Sequence, residues 1–165
     1  MSNYKRIFMD GYSYYLTIVT HQRNPILIEN IDLLRASFAD SKRRYRYAID
    51  AIVILPEHIH MIITPQNATE YPKIIRAIKY YFSVHCDQKY YAHLMQSHSR
   101  NRRGSKPIWQ KRFYEHTIRD ARDMGEKIRY IRNNPVKHGH VDKVDDWKFT
   151  GGRRVQFIAP QNHGF

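Results

Sequence analysis

The chain has 165 residues, 42% of them hydrophobic, with 28 Lys and Arg against 15 Asp and Glu and a formal net charge of +13. That excludes a disordered chain and suits one compact domain with a real core. A lone cysteine, Cys86, excludes an internal disulfide and a cysteine-based zinc site.

The longest aliphatic run, Ala51 to Leu55, is too short to span a membrane, and Met1–Arg6 lacks an apolar signal core. A reducing cytoplasm is the expected compartment. Basic residues recur from the N-terminus to Arg154, which points to a polyanionic partner, nucleic acid first.

Tyr12 to Thr20 is rich in aromatic and β-branched residues and predicts a first strand, closed by Arg23-Asn24-Pro25. Asn30 is placed to cap a helix whose Ile31, Leu34 and Phe38 form an apolar stripe. That helix ends in Lys42-Arg43-Arg44-Tyr45-Arg46, where cations favour the helix dipole and can also meet phosphates. Tyr47 to Leu55 predicts a second strand. Pro56-Glu57 is a short turn into a third, so the two form a hairpin.

The third strand carries His58-Ile59-His60-Met61-Ile62-Ile63. Side chains alternate along a strand, so both imidazoles point to one face and Ile59, Met61 and Ile63 to the other. Two such imidazoles can converge on one divalent cation. Thr69 is expected to cap a second helix, with Pro72 in its first turn and Ile75, Ile78 and Phe82 as its buried stripe.

Residues from about 92 to 107 are basic and lack periodicity, and predict a mobile loop within one domain spanning residues 1–165. Ile108 to Ile118 predicts a fourth strand, and Asp120 caps a third helix with Met124, Ile128 and Ile131 inward. A tail follows from about residue 146. The order is βαββαβ plus one more helix: an α+β, ferredoxin-like sandwich with helices on one face of an antiparallel sheet. The other face stays free for a site.

On the last helix Tyr130 and Asn134 are four apart and share a side. Asn134 is placed to give an oxygen ligand to a cation held by His58 and His60, and Tyr130 to act as the nucleophile beside it. Pro135 biases Asn134 away from helical geometry and is expected to distort that spacing. A phenol attacking a phosphodiester needs the phosphate charge reduced and the leaving oxygen stabilised, which a divalent cation does.

Tyr114, beside His116, is the rival nucleophile, and stacking or packing suits it better. Glu57 adjoins the first histidine and reads more as a turn residue than as its hydrogen-bond partner. His138 and His140 show no ligand spacing with the strand pair. Arg100, Arg102, Arg103 and Lys106 are the best candidate clamps on a nucleic-acid backbone, followed by Arg43, Arg44, Arg153 and Arg154.

Leu55-Pro56-Glu57-His58-Ile59-His60 resembles the histidine-hydrophobic-histidine (HUH) motif of single-tyrosine transposases, most closely the REP-associated tyrosine transposases. Arg6 to Arg23 resembles their opening strand. Ile108-Trp109-Gln110-Lys111-Arg112-Phe113-Tyr114-Glu115-His116 resembles their tryptophan-led fourth strand, and Tyr130-Ile131-Arg132-Asn133-Asn134-Pro135-Val136-Lys137-His138-Gly139 their tyrosine helix. Asp146-Trp147-Lys148-Phe149-Thr150-Gly151-Gly152 departs from the Pro-Trp-Ser-Ser-like segment that often follows that helix.

The resemblance implies Mg- or Mn-dependent nicking and rejoining of single-stranded or hairpin DNA through a 5′-phosphotyrosine. It implies His58, His60 and Asn134 as metal ligands, Tyr130 as nucleophile, and a monomer or homodimer with no membrane association. The alternatives are a non-catalytic nucleic-acid-binding module, from which the RNP-type aromatic pattern is missing, and a relic transposase acting as a repressor.

Overall fold

A computed structural model of the chain describes residues 5–155. The elements are β1 (Tyr14–Val19), α1 (Ile31–Arg44), β2 (Tyr47–Ile54), β3 (His58–Pro65), α2 (Tyr71–His85), α3 (His98–Arg102), β4 (Tyr114–Thr117), α4 (Ala121–Lys137) and β5 (Thr150–Gly151). The strands form one antiparallel sheet in the order β4-β1-β3-β2-β5. This is the expected ferredoxin-like arrangement, extended by β5 at the β2 edge.

Strand alternation divides the interior in two. Leu16, Ile18, Ile52, Ile54, Ile59, Met61 and Ile63 face α1 and α2, which add Leu34, Phe38, Ile75, Ile78 and Phe82. Tyr15, Val53, Leu55 and Ile62 face the other way and are covered by Ile128 and Ile131 of α4. The last helix therefore lies on the face that α1 and α2 leave open.

Several local expectations need correcting. Asn30 does not cap α1; its amide turns back and donates to the carbonyl of Ile26 at 2.9 Å. Asn67, not Thr69, caps the turn before α2, its Oδ1 accepting from the Thr69 N–H at 3.0 Å. The fourth strand is only four residues long. Upstream of it the pairing shrinks to one bridge, Thr20 to Trp109, with the Gln110 N–H donating to Val19 O at 2.9 Å and the His21 N–H to Ile108 O at 2.8 Å; Lys79 Nζ donates to Gln110 O at 2.7 Å and an Arg100 guanidinium nitrogen to Trp109 O at 3.0 Å. Trp109 packs on Phe82, ring centres 5.2 Å apart. The predicted loop holds a short helix, α3. Pro135 does not end α4, which runs on to Lys137, although a proline there removes the bond its N–H would give to the Ile131 carbonyl.

A bulge in the β2–β3 register falls at Asp50, which is fully buried. Its carboxylate accepts from Thr64 Oγ1 at 2.5 Å, Arg153 Nε at 2.6 Å and Arg154 Nε at 3.1 Å. A buried carboxylate requires such partners, and these tie β5 and the segment after it to the sheet. Gly152 makes the approach possible. Its φ is +114°, and a Cβ there would meet Asp50 O at 2.6 Å and Ala51 Cα at 2.7 Å, both backbone atoms. Gly152→Ala is expected to destabilise the fold on the order of 1–3 kcal/mol, read as a lower urea midpoint. An unchanged midpoint would mean the terminal segment is not held this way.

Candidate active site

β3 lies between β1 and β2, with Thr17 and Val53 paired across from His60 and Val19 across from His58. Both imidazoles share the α4 face and both are buried. Their ring centres are 4.7 Å apart and their planes nearly perpendicular, at 81°.

Each Nδ1 has a protein partner. His58 Nδ1 lies 2.9 Å from Glu57 Oε1. A carboxylate can only accept, so Nδ1 carries the proton and Nε2 keeps its lone pair. Glu57 is thus the partner of His58, and not merely the turn residue that the sequence favoured. His60 Nδ1 sits 2.8 Å from Tyr15 Oη and 2.9 Å from Thr17 Oγ1. Donation to either hydroxyl oxygen leaves its Nε2 equally free.

Burial holds both rings in the neutral form. The His58 pKa is lowered by desolvation, partly offset by Glu57. That of His60 falls to about 3, through desolvation first and then the neighbouring His58, His138, Lys137 and Arg23. A neutral imidazole with an oriented Nε2 lone pair is a ligating imidazole.

α4 brings the other groups. It starts where Asp120 accepts from the Asp123 N–H at 2.8 Å, and Asp123 reaches back to His116 of β4 at 2.8 Å. It packs across β2 and β3. The Tyr130 ring stands 5.3 Å from that of His60, edge-on at 75°, and remains 39% exposed. Lys137 Nζ lies 5.1 Å from its centre. The predicted nucleophile and the histidine pair therefore meet within one chain. Tyr15 sits between Tyr130 and Tyr114, ring centres 6.3 and 6.2 Å away. Exposed Tyr114 borders the site without contacting the histidines.

Asn134, one turn beyond Tyr130, is fully buried, and neither Oδ1 nor Nδ2 has a protein hydrogen-bond partner. A buried amide without partners costs free energy unless something else satisfies it. The residues present thus fit a cation: two Nε2 lone pairs and an amide oxygen in want of a partner.

The sequence spacing set His138 aside, and the structure places it beside the pair. Its ring lies 5.3 Å from that of His58, at 71°. The available signal was the run Tyr130, Asn134, His138 at i, i+4 and i+8, which keeps one helix side. Among the described residues, no three His, Cys, Asp or Glu side chains are already gathered as a ligand set.

The predicted clamps lie elsewhere. Arg43 and Arg44 pair with Asp40 of α1 at 2.8 and 2.9 Å. Arg153 and Arg154 hold Asp50, as above. Lys106 Nζ donates to Ser83 O at 2.7 Å. Arg102 and Arg103 are exposed. Arg100, Arg103 and Lys106 line a groove of about 700 Å³ with Lys73, Arg76 and Lys79 of α2, on the side of the sheet away from α4.

Fold and site together define a class: single-tyrosine DNA strand-transfer enzymes with a His-hydrophobic-His strand. The comparisons agree. Residues 9–134 match the family model described as transposase IS200 like. The chain is 35% identical over 152 residues to the REP-associated tyrosine transposase of Escherichia coli (strain K12), covering 91% of this chain and 82% of that protein. It is 35% identical over 158 residues to a Haemophilus influenzae protein provisionally assigned as another, covering 93% and 87%. A solved REP-associated tyrosine transposase bound to a REP hairpin superposes with a TM-score of 0.76 at 32% identity, covering 97% of this chain and 89% of the other.

The chain belongs to the IS200-like transposase family, among its REP-associated tyrosine transposases. It is a DNA-cleaving and joining enzyme by that membership. No helix among the described residues is long and apolar enough to cross a membrane.

The buried histidines set a pH dependence. An unfolded His60 protonates near its ordinary 6.5, the folded one only near 3. Below 6.5 the unfolded chain binds a proton that the fold does not. The contribution of His60 is therefore complete above that pH and lost as the pH falls towards 3. The melting temperature of the protein kept metal-free with chelator is expected to fall through this window, and His60→Gln to flatten the fall. Equal slopes in the two proteins would refute the assignment.

Proposed function

We propose that this enzyme is a metal-dependent single-strand DNA endonuclease and strand transferase acting on hairpin-forming palindromic repeats. The observation that carries the reading is the Tyr130 phenol beside His60 with the unpartnered Asn134 amide one turn on. The relative solved with a REP hairpin supports the choice of substrate.

Tyr130 Oη attacks the scissile phosphorus. The phenol gives up its proton as a P–O bond to the tyrosine forms, the bond to the 3′-oxygen breaks, and that oxygen takes one proton and leaves as a 3′-hydroxyl. The 5′-phosphate stays on Tyr130, and a second 3′-hydroxyl reverses the step on another strand, so joining needs no ATP.

His58, His60 and Asn134 would hold the divalent ion, Mg or Mn; when bound it neutralises phosphate charge and stabilises the departing oxygen. Glu57 keeps His58 in the ligating tautomer, and Tyr15 and Thr17 orient the His60 ring through its Nδ1. Lys137, poised by the Tyr130 ring, adds positive charge where the phosphate must sit.

Arg100, Arg102, Arg103 and Lys106 contact the backbone of DNA that wraps from the α2 side. Arg43, Arg44, Arg153 and Arg154 keep about half or more of their side chains exposed, although each is ion-paired. They add charge at the flanks. Tyr130 stands beside His60 of its own chain, which supports cleavage by a monomer, with a homodimer as the other arrangement.

Incubation with a REP-type hairpin oligonucleotide and Mn is expected to leave DNA covalently attached to the protein. Tyr130→Phe should abolish the adduct while hairpin binding persists. An adduct that survives would move the nucleophile to another residue, Tyr114 first. Binding of single-stranded DNA should weaken with salt at a log-log slope of about −0.7 per phosphate contacted; a flat response would defeat the DNA assignment.

A further inference from the structure

Resting on the reading of Tyr130 as the nucleophile towards single-stranded DNA, we infer that Tyr114 and Lys127 form a nucleotide subsite beside it. The Tyr114 ring stacks on the base next to the scissile phosphate, and the Lys127 ammonium takes a neighbouring phosphate of the same strand.

Tyr15 brings the parts together. Its buried ring lies 6.3 Å from the Tyr130 ring and 6.2 Å from the Tyr114 ring, edge-on to both, at 77° and 71°. Lys127 Nζ lies 5.0 Å from the centre of the same ring. Strand pairing fixes the face. Tyr114 is across from Thr17 and His116 across from Tyr15, and His116 bonds to Asp123 of α4. Residues two apart on a strand share a face, so Tyr114 stands on the α4 side. It does so at β4, where the sheet ends.

An aromatic residue on an edge strand has an ordinary role in cross-strand packing, and Tyr114 has that contact with Tyr15. Packing does not account for the rest of the ring. Tyr114 is 58% exposed, more than the nucleophile itself. An exposed ring held at the rim of a site by a buried one is a surface on which a base can stack.

The charge fits the same occupant. Arg122 of α4 pairs with Glu126, and Arg132 with Asp145. Among the described residues Lys127 and Lys137 have no carboxylate partner; their ammonium groups lie over the rings of Tyr15 and Tyr130. A cation over an exposed ring is weakly held, and a phosphate competes for it with charge-assisted hydrogen bonds. Lys127 is three residues before Tyr130 and Lys137 seven after, so the three share a helix side. A single strand running along α4 meets Lys137 on one side of the scissile phosphate and Lys127 on the other. The base on the Lys127 side falls against Tyr114. Every base has a π-face, so this subsite sets where the strand lies and not its sequence.

The test uses the full-length protein and a hairpin oligonucleotide whose cut position is first located from the wild-type covalent product. 2-Aminopurine is then placed on either side of that phosphate and bound to Tyr130→Phe, which keeps the strand intact. One of the two labels should be quenched on binding. Adding Tyr114→Ala should abolish the quench, and Tyr114→Phe in its place, which keeps the ring, should restore it. With Tyr130 present, Tyr114→Ala should raise the KM of adduct formation about five- to a hundredfold, the value of stacking one base, and lower kcat far less. Lys127→Gln should reduce the log-log salt slope of single-strand binding by about 0.7, one phosphate contact. As Tyr114 is exposed, the melting temperature of Tyr114→Ala should stay near that of wild type.

If quench and KM survive Tyr114→Ala, or Tyr114→Phe fails to restore them, Tyr114 is no stacking platform and the subsite falls, while a wild-type adduct on Tyr130 leaves the enzyme reading standing. An unchanged salt slope in Lys127→Gln removes the phosphate contact. If wild type forms no adduct at all, the nucleophile reading falls, and the subsite with it.

Discussion

The pairing of β3 between β1 and β2 governs the chemistry of this protein. The register places Thr17 beside His60 and Tyr15 one step along, on the same face. From that follows the double hydroxyl contact on His60 Nδ1. A slip of one residue would send both imidazoles into the apolar layer beneath α1 and α2, and Ile59 and Met61 out towards α4. Such a slip is opposed by the large apolar core on the first face, so packing on one side of the sheet fixes the ligand geometry on the other.

The same sheet separates the chemistry from much of the positive charge. Tyr130, His58 and His60 lie under α4, whereas Lys73, Arg76, Lys79, Arg100, Arg103 and Lys106 gather along α2 on the other side. Several cations also have structural work within the protein. Arg153 and Arg154 satisfy a carboxylate buried in the sheet edge, and Lys79, Arg100 and Lys106 satisfy backbone carbonyls. Net charge gives the sign of the partner. It does not say which side chains are left to meet it.

Much of the architecture was legible because its signals are local. Period-two alternation identified β3 and which of its residues point together. The Met124, Ile128 and Ile131 spacing and Asp120 located the start and the face of α4. The errors fall where tertiary contacts override local preference. Asn30 has a capping residue's chemistry, but its amide found a carbonyl behind it. Ile108 to Phe113 has a strand's composition, but it pairs only through a single bridge, Thr20 to Trp109, and two of its carbonyls accept from side chains of α2 and α3. Glu57 read as a turn residue because nothing in sequence shows that its carboxylate folds back on its neighbour.

The sequence by itself determined the parts: two imidazoles on one face of a strand, a phenol and an amide one helical turn apart, and an excess of cations. These follow from the repeats of strand and helix and from composition, which need no knowledge of the fold. Only the tertiary structure decided that Tyr130 meets His60 within one chain, that Asn134 is sealed in without a partner, and that His138 stands beside His58. The reason is distance along the chain: the strand and the helix are about seventy residues apart, and only sheet closure and the packing of α4 across β2 and β3 bring them together.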